Sequence, residues 1–121
     1  MIESISVSDE SKEADQPVEL GPIATRVLYE DARVRVWEQV IEPGGSIGPH
    51  RHELPYALVT VEGSSLDVVP VPGYPTLYGE ERLSADVPSQ TAAVLPEGSV
   101  EDALNTGDRA YRAILVEFRK S

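Results

Sequence analysis

Apolar and polar residues alternate along most of the chain from Thr25 onward, and this period of two is typical of β-strands. Glycine- and proline-rich turns, such as Pro43-Gly44-Gly45 and Pro96-Glu97-Gly98, separate the alternating segments, and no segment has a convincing helical period. The pattern therefore predicts an all-β chain folded as a sandwich or barrel. Strands are predicted at residues 25–30, 32–42, 46–52, 55–61, 66–71, 82–87, 91–95, 100–104 and 110–118.

Two segments leave the direction of their side chains open. In Ala32–Glu42 the valines alternate with Arg33, Arg35, Trp37 and Gln39. We interpret the arginine–tryptophan face as a solvated outer face, although an inward arginine would be able to anchor a substrate carboxylate. In the proline- and glycine-rich loop 71–79, Tyr74 and Tyr78 either cover the mouth of the barrel or pack as ordinary loop residues.

The length of 121 residues fits one domain, and the absence of cysteine excludes disulfides, thiolate metal sites and cysteine nucleophiles. Residues 1–21 are interpreted as an acidic tail that is flexible or contacts a partner, and residues 22–121 as a single barrel domain. The first 16 residues lack the apolar core of a signal peptide, and the apolar runs are too short to cross a bilayer. A cytoplasmic protein that does not enter membranes is the default expectation.

The formal net charge of −11 argues against nucleic-acid binding, because a broadly acidic surface repels phosphates. Six acids and one lysine lie within residues 1–20, so the body of the protein is only mildly acidic for its size.

The chain contains two histidines, His50 and His52, in the segment Gly-Pro-His-Arg-His. Side chains at positions i and i+2 of a strand face the same way, so both imidazoles can converge on one point. Such a pair suits Fe, Mn, Ni, Cu or Zn. Two surface histidines on an edge strand would show the same spacing, so the pair alone does not decide between a metal site and chance.

The positions around the histidines resemble the two motifs of the cupin superfamily. The first motif, G-x5-H-x-H-x3,4-E-x6-G, is matched by Gly44, His50, His52, Tyr56 and Gly63. The second motif, G-x5-P-x-G-x2-H-x3-N, is matched by Pro96, Gly98, Glu101 and Asn105. The resemblance covers about residues 22–119 and implies a double-stranded β-helix, also called a jelly-roll barrel.

The departures from these motifs bear on the chemistry. Tyr56 replaces the usual glutamate, Glu101 replaces the histidine of the second motif, and Gln90 replaces its opening glycine. The resemblance then implies a metal site of His50, His52 and Glu101, a set of two histidines and one carboxylate that suits Fe(II). Tyr56 would act as a weak fourth ligand, a proton donor or a partner for substrate, so Tyr56 and Glu101 are the catalytic candidates.

The same departures from the motifs also allow the opposite interpretation, in which the chain holds no metal tightly. Cupins that lose the histidine of the second motif commonly hold metal poorly, and Glu101 is followed by Asp102 in what would then be a solvated loop. The two acids cannot both face inward on a regular strand, and the register favours Glu101. Tyr56 would then be a core aromatic residue with a satisfied hydroxyl.

Two functions follow. The first is a small cupin that holds a divalent metal (Fe, Mn, Ni or Zn) and acts on a small oxygen-bearing molecule as a dioxygenase, isomerase, lyase or cyclase. The second is a metal-poor cupin that binds a small ligand or serves as an accessory protein. A homodimer is expected in either case, with the strand 25–30 and the tail as the contacting segments.

Overall fold

The computed structural model describes residues 18–88 and 90–120, which form nine strands and no helix. Residues 1–17 of the predicted acidic tail therefore lie outside the described residues. The strands are β1 (Arg26–Glu30), β2 (Val34–Ile41), β3 (His50–Arg51), β4 (Tyr56–Glu62), β5 (Ser65–Pro70), β6 (Leu83–Asp86), β7 (Thr91–Leu95), β8 (Val100–Asn105) and β9 (Tyr111–Phe118). The predicted all-β class is confirmed.

The strands form two antiparallel sheets, a five-stranded sheet in the order β1-β2-β9-β4-β7 and a four-stranded sheet in the order β3-β8-β5-β6. Each sheet takes strands from distant parts of the chain, as a double-stranded β-helix requires. In the described ranges, no helix has the length and apolar character of a membrane-crossing segment.

Strict alternation on β9 shows which side of the large sheet faces the core. Tyr111, Ala113, Leu115 and Glu117 are buried, while the residues between them are half-buried or exposed. Their register partners on the neighbouring strands share this inner side, because directly opposed residues in antiparallel strands point the same way.

The same register corrects our interpretation of residues 32–42. Trp37 packs against the core cluster and donates a hydrogen bond from Nε1 to Glu117 at 2.8 Å, and Gln39 is only 5% exposed. The Trp37–Gln39 side therefore faces inward, and the valines face outward. Arg35 shares the inner side at the end of the barrel, whereas Arg33 is exposed as expected.

The segment before the histidines is less regular than the predicted strand 46–52. The strand β3 contains only His50 and Arg51, because Pro49 has no N–H to donate and Gly48 takes a left-handed φ of +97°. Gly21 belongs to the predicted tail, but its N–H donates to the Pro49 carbonyl at 2.9 Å. This residue therefore lies against the barrel.

The turn between β8 and β9 is organised by Asn105, which is 1% exposed. Its Nδ2 donates to the carbonyls of Ile41 at 2.8 Å and Arg109 at 2.9 Å, and its Oδ1 accepts from the Gly107 N–H at 2.8 Å. This side chain therefore satisfies three backbone groups from two separate segments of the chain.

We expect Asn105→Ala to lower the free energy of unfolding by about 2–4 kcal/mol, because it leaves buried backbone groups without partners. Urea denaturation would measure the change. The neighbouring Thr106 is exposed, so Thr106→Ala is the matched control and should cost less than about 1 kcal/mol. Equal losses for the two variants would contradict this role of Asn105.

Candidate metal centre

Three potential metal ligands converge inside the barrel. His50 and His52 are each 2% exposed, and Glu101 is 7% exposed. Each residue offers one ligand atom within 4.8 Å of the ligand atoms of the other two. The predicted set of His50, His52 and Glu101 is therefore present as one buried cluster.

Strand pairing positions the cluster. β3 pairs with β8 so that His50 lies directly opposite Glu101. Beyond β3, the N–H of His52 donates to the Ser99 carbonyl at 3.0 Å, and the His52 carbonyl accepts from Gly98 at 2.7 Å. This pairing keeps the chain extended, so the two imidazoles face the same side, as the spacing predicted.

A backbone contact orients the ring of His50. Its Nδ1 lies 2.8 Å from the Gly48 carbonyl, which can only accept, so Nδ1 carries the proton and Nε2 is free to bind a cation. Asp102 in turn accepts the N–H of Gly48 at 2.8 Å. Asp102 points away from the cluster, as expected, but it braces the turn that holds His50 rather than only facing solvent.

The carboxylate of Glu101 is held by two neighbours. The Ser99 hydroxyl donates to Oε1 at 2.5 Å, while Oε2 lies 3.6 Å from Nε2 of His52. Burial raises the pKa of Glu101, but the adjacent imidazole of His52 and the hydroxyl of Ser99 outweigh it and bring the pKa below its usual value. The group is therefore a carboxylate near neutral pH, which is the form that binds metals.

Ring packing fixes the orientation of His52. Its ring stacks on Tyr56 with centroids 4.2 Å apart and planes 11° apart, and it meets His50 edge-on at 4.9 Å. Nδ1 of His52 is buried and has no hydrogen-bond partner among the described residues. Unlike His50, this ring is positioned by contacts with other rings.

The donor set fits a divalent cation. Burial lowers the pKa of His50, so its imidazole stays neutral, and the pKa of Glu101 is lowered as well. Tyr56 is different, because burial and the nearby Glu101 raise the pKa of its phenol. A phenol that keeps its proton suits a proton donor or a substrate partner better than an anionic ligand.

The cluster opens on a cavity of about 60 Å³, roughly twice the volume that one water molecule occupies in the liquid. Three polar residues at or beside this cavity were not among the site residues expected from the sequence. Gln39 and Tyr111 border the cavity, and Ser99 supports Glu101 from behind. For Ser99 a signal was available, since it precedes Glu101 by two residues and so shares its side of the chain.

The loop 71–79 contributes one of its two tyrosines to the site. Tyr78 lines the cavity, and burial together with Glu101 raises its pKa. Tyr74 instead lies beside Arg51, whose guanidinium carbon is 5.7 Å from the ring centroid. The loop is also tied to the cluster, because the Leu77 N–H donates to the Ser99 hydroxyl at 3.0 Å.

Comparison of the sequence with protein-family models and with curated proteins finds no match. The fold, in contrast, is similar to solved structures. A cupin domain from Bordetella pertussis Tohama I has a TM-score of 0.64 and 22% identity, with 83% of this chain and 100% of that chain covered. A protein from Bacillus halodurans has a TM-score of 0.60 and 20% identity, with 96% of this chain and 82% of that chain covered.

The chain has the cupin fold. The resemblance drawn from the two motifs is thus confirmed at the level of the fold. A further similar structure is oxalate oxidase in complex with the substrate analogue glycolate, with a TM-score of 0.54 and 21% identity, covering 72% of this chain and 42% of that chain. In this cupin barrel the two motif regions lie on β3–β4 and β8 and meet at one cavity.

The lowered pKa of His50 predicts a pH dependence of stability. Because burial holds the folded pKa below the usual value of about 6.5, the unfolded chain takes up this proton first as the pH falls. The stability contributed by neutral His50 is complete above about pH 6.5 and is lost below it. We expect the free energy of unfolding, measured in urea with a chelator present, to fall as the pH drops below about 6.5.

The variant His50→Asn provides the control, because asparagine does not titrate and its amide can still donate to the Gly48 carbonyl. Its stability should fall less steeply across the same range, and His52 is common to both proteins. Parallel pH profiles for the parent and the variant would show that His50 does not cause the dependence.

Proposed function

We propose that this cupin binds a divalent transition-metal ion through His50, His52 and Glu101 and acts as a metal-dependent enzyme on a small oxygen-bearing molecule. The observation that carries the proposal is the buried cluster, in which all three ligand atoms lie within 4.8 Å of one another. Three polar side chains in the interior of a barrel are costly unless they share a role that repays their burial.

The chemistry of the donor atoms limits which metal ions the site would bind. Two neutral imidazoles and one carboxylate suit Fe, Mn, Ni or Zn, and they neutralise only one of the two charges of a divalent ion. When bound, such an ion supplies Lewis acidity and, if it is iron, can activate dioxygen. With three protein ligands, coordination positions remain open toward the cavity.

The size of the cavity limits which part of a substrate can reach the cluster. A space of about 60 Å³ admits one small polar group of a ligand, such as a carboxylate or a hydroxyl with its carbon. Oxalate oxidase, one of the similar structures, is in complex with glycolate, a compound of two carbon atoms. Small hydroxy acids and dicarboxylates are therefore the first compounds to screen.

Other side chains of the cavity would handle such a substrate. The phenol of Tyr56 keeps its proton and lies against His52, so it can donate a proton or a hydrogen bond to an oxygen atom near the histidines. Gln39 lines the same cavity from β2. Tyr78 and Tyr111 add two further protonated phenols, so the cavity wall is rich in donors for an oxygen-bearing ligand.

Metal titration of single variants tests the ligand set. After chelator treatment of protein purified without a histidine tag, we expect Glu101→Ala to weaken the binding of Zn(II) or Mn(II) by more than about a hundredfold, because a direct ligand is lost. Asp102→Ala is the matched control one position away. It should change affinity by less than about tenfold, because the carboxylate of Asp102 bonds to the backbone N–H groups of Gly48 and Ala103 and not to a ligand side chain.

Two further variants sharpen the result. Ser99→Ala should weaken binding by an intermediate factor of about ten or more, because it frees the carboxylate of Glu101. Tyr56→Phe should leave metal binding unchanged and lower any activity. If Glu101→Ala binds metal as tightly as the parent, the three-ligand site is wrong, and a metal-poor cupin that binds a ligand in the phenol-lined cavity becomes the better description.

A further inference from the structure

The cavity beside the three candidate ligands meets solvent at one side chain. Twelve of the described residues line this cavity, and eleven of them are buried or half-buried. Tyr78 is the exception, since 37% of its surface is exposed. Within the described lining, Tyr78 therefore separates the cluster from bulk water.

Tyr78 reaches the cavity from the loop between β5 and β6, whereas the other lining residues lie on strands or, in the case of His52, directly after one. Its hydroxyl lies at the inner end, because burial and the negative charge of Glu101 raise the pKa of the phenol. The residue thus spans the boundary, with its hydroxyl toward the cluster and part of its surface in solvent.

The backbone of this loop is attached to the start of β8. The Pro75 carbonyl accepts the N–H of Val100 at 2.8 Å, and the Leu77 N–H donates to the Ser99 hydroxyl at 3.0 Å. Both bonds hold main-chain atoms of the loop and neither involves the side chain of Tyr78. The backbone is therefore held in place, and this side chain is the part that is left to move.

The neighbours of Tyr78 leave its outer side open. Gly79 follows with a left-handed φ of +92°, and no atom of the described residues beyond its chain neighbours lies within 4 Å of the position that a β-carbon would take there. Leu77, on the other side, is itself 45% exposed. Exposed side chains change rotamer rapidly, so a rotation of Tyr78 toward solvent meets little obstruction.

We propose that the side chain of Tyr78 is the gate of the cluster: it rotates outward to admit a small molecule or ion and returns to close the cavity. Because the closed cavity of about 60 Å³ holds only one small polar group, the bulk of residue 78 determines how large a ligand reaches His50, His52 and Glu101. The gate itself is independent of metal binding, whereas its effect on ligand choice rests on the proposed function.

Chemical modification of the histidines measures access to the cluster without a metal. The chain contains two histidines, and both belong to the cluster. An unprotonated imidazole nitrogen attacks diethyl pyrocarbonate and gains a carbethoxy group, while carbon dioxide and ethanol leave, and ultraviolet absorbance follows the product. With chelator-treated, untagged protein at about pH 8, above the usual histidine pKa of about 6.5, we expect Tyr78→Ala to raise the rate at least about tenfold.

Three variants serve as controls for this rate. Tyr78→Phe keeps the ring and should react within about threefold of the parent, because bulk and not the hydroxyl closes the cavity. Tyr74→Ala makes the same truncation in the same loop at a residue outside the lining, and it should also stay near the parent rate. Asn105→Ala lowers stability away from the cavity, so it measures how much modification comes from general unfolding, and it should accelerate the reaction less than Tyr78→Ala.

The modification rates can overturn the gate in two ways. Equal rates for Tyr78→Ala and the parent would show that the side chain does not limit access. Equal acceleration by Tyr74→Ala or Asn105→Ala would show that loosening of the loop or of the fold, and not removal of the ring at position 78, opens the cluster.

Ligand binding tests the consequence for specificity. Glycolate and mandelate are both 2-hydroxy monocarboxylates, but mandelate carries a phenyl ring. In calorimetry with Zn(II)-loaded protein, we expect the parent to favour glycolate and Tyr78→Ala to shift the ratio of the two dissociation constants toward mandelate by at least about tenfold, because the phenyl ring takes the space of the lost side chain. An unchanged ratio would overturn the role in specificity. A parent that takes up no Zn(II) would contradict the proposed function instead, and the modification rates would still decide the gate.

Discussion

The register between β3 and β8 is the constraint on which the candidate site depends. With His50 opposite Glu101, a carboxylate faces the two imidazoles; a slip of one residue would present Val100 or Asp102 instead. Several contacts hold this register without belonging to the strands themselves. Asp102 accepts the N–H of Gly48, and His52 exchanges backbone hydrogen bonds with the Gly98–Ser99 segment. The carboxylate that points outward thus helps to determine which carboxylate points inward.

Burial sets the protonation states of the side chains in the cluster and also makes the cluster energetically costly. Burial holds the imidazole of His50 neutral, and the charge of Glu101 is maintained against burial by His52, Ser99 and His50. The phenols around the cavity keep their protons for the same reason. These shifts widen the pH range over which a neutral imidazole, an ionised carboxylate and protonated phenols stand together in one cavity.

The five-stranded sheet presents different residues on its two sides. Along β9, Tyr111 and Leu115 face the cavity, while Ile114 and Val116, which alternate with the inward residues, face outward. Because the side chains of a strand alternate, a change on one side leaves the residues of the other side in place. The fold can therefore vary its cavity and its outward surface independently, although both are carried by the same strands.

The sequence by itself determined the fold class, because turn residues and a period of two are local signals. It also indicated the candidate ligands His50, His52 and Glu101, because their spacing resembles the two cupin motifs. It did not decide which side of residues 32–42 is buried. Both sides contain bulky residues, and only the pairing of β2 with β9 turns Trp37 and Gln39 inward. Gln39, Tyr111 and Ser99 join the site from β2, β9 and the β7–β8 turn, which are far apart in the sequence. Their convergence is a property of strand order, and strand order is settled by long-range packing that no local pattern records.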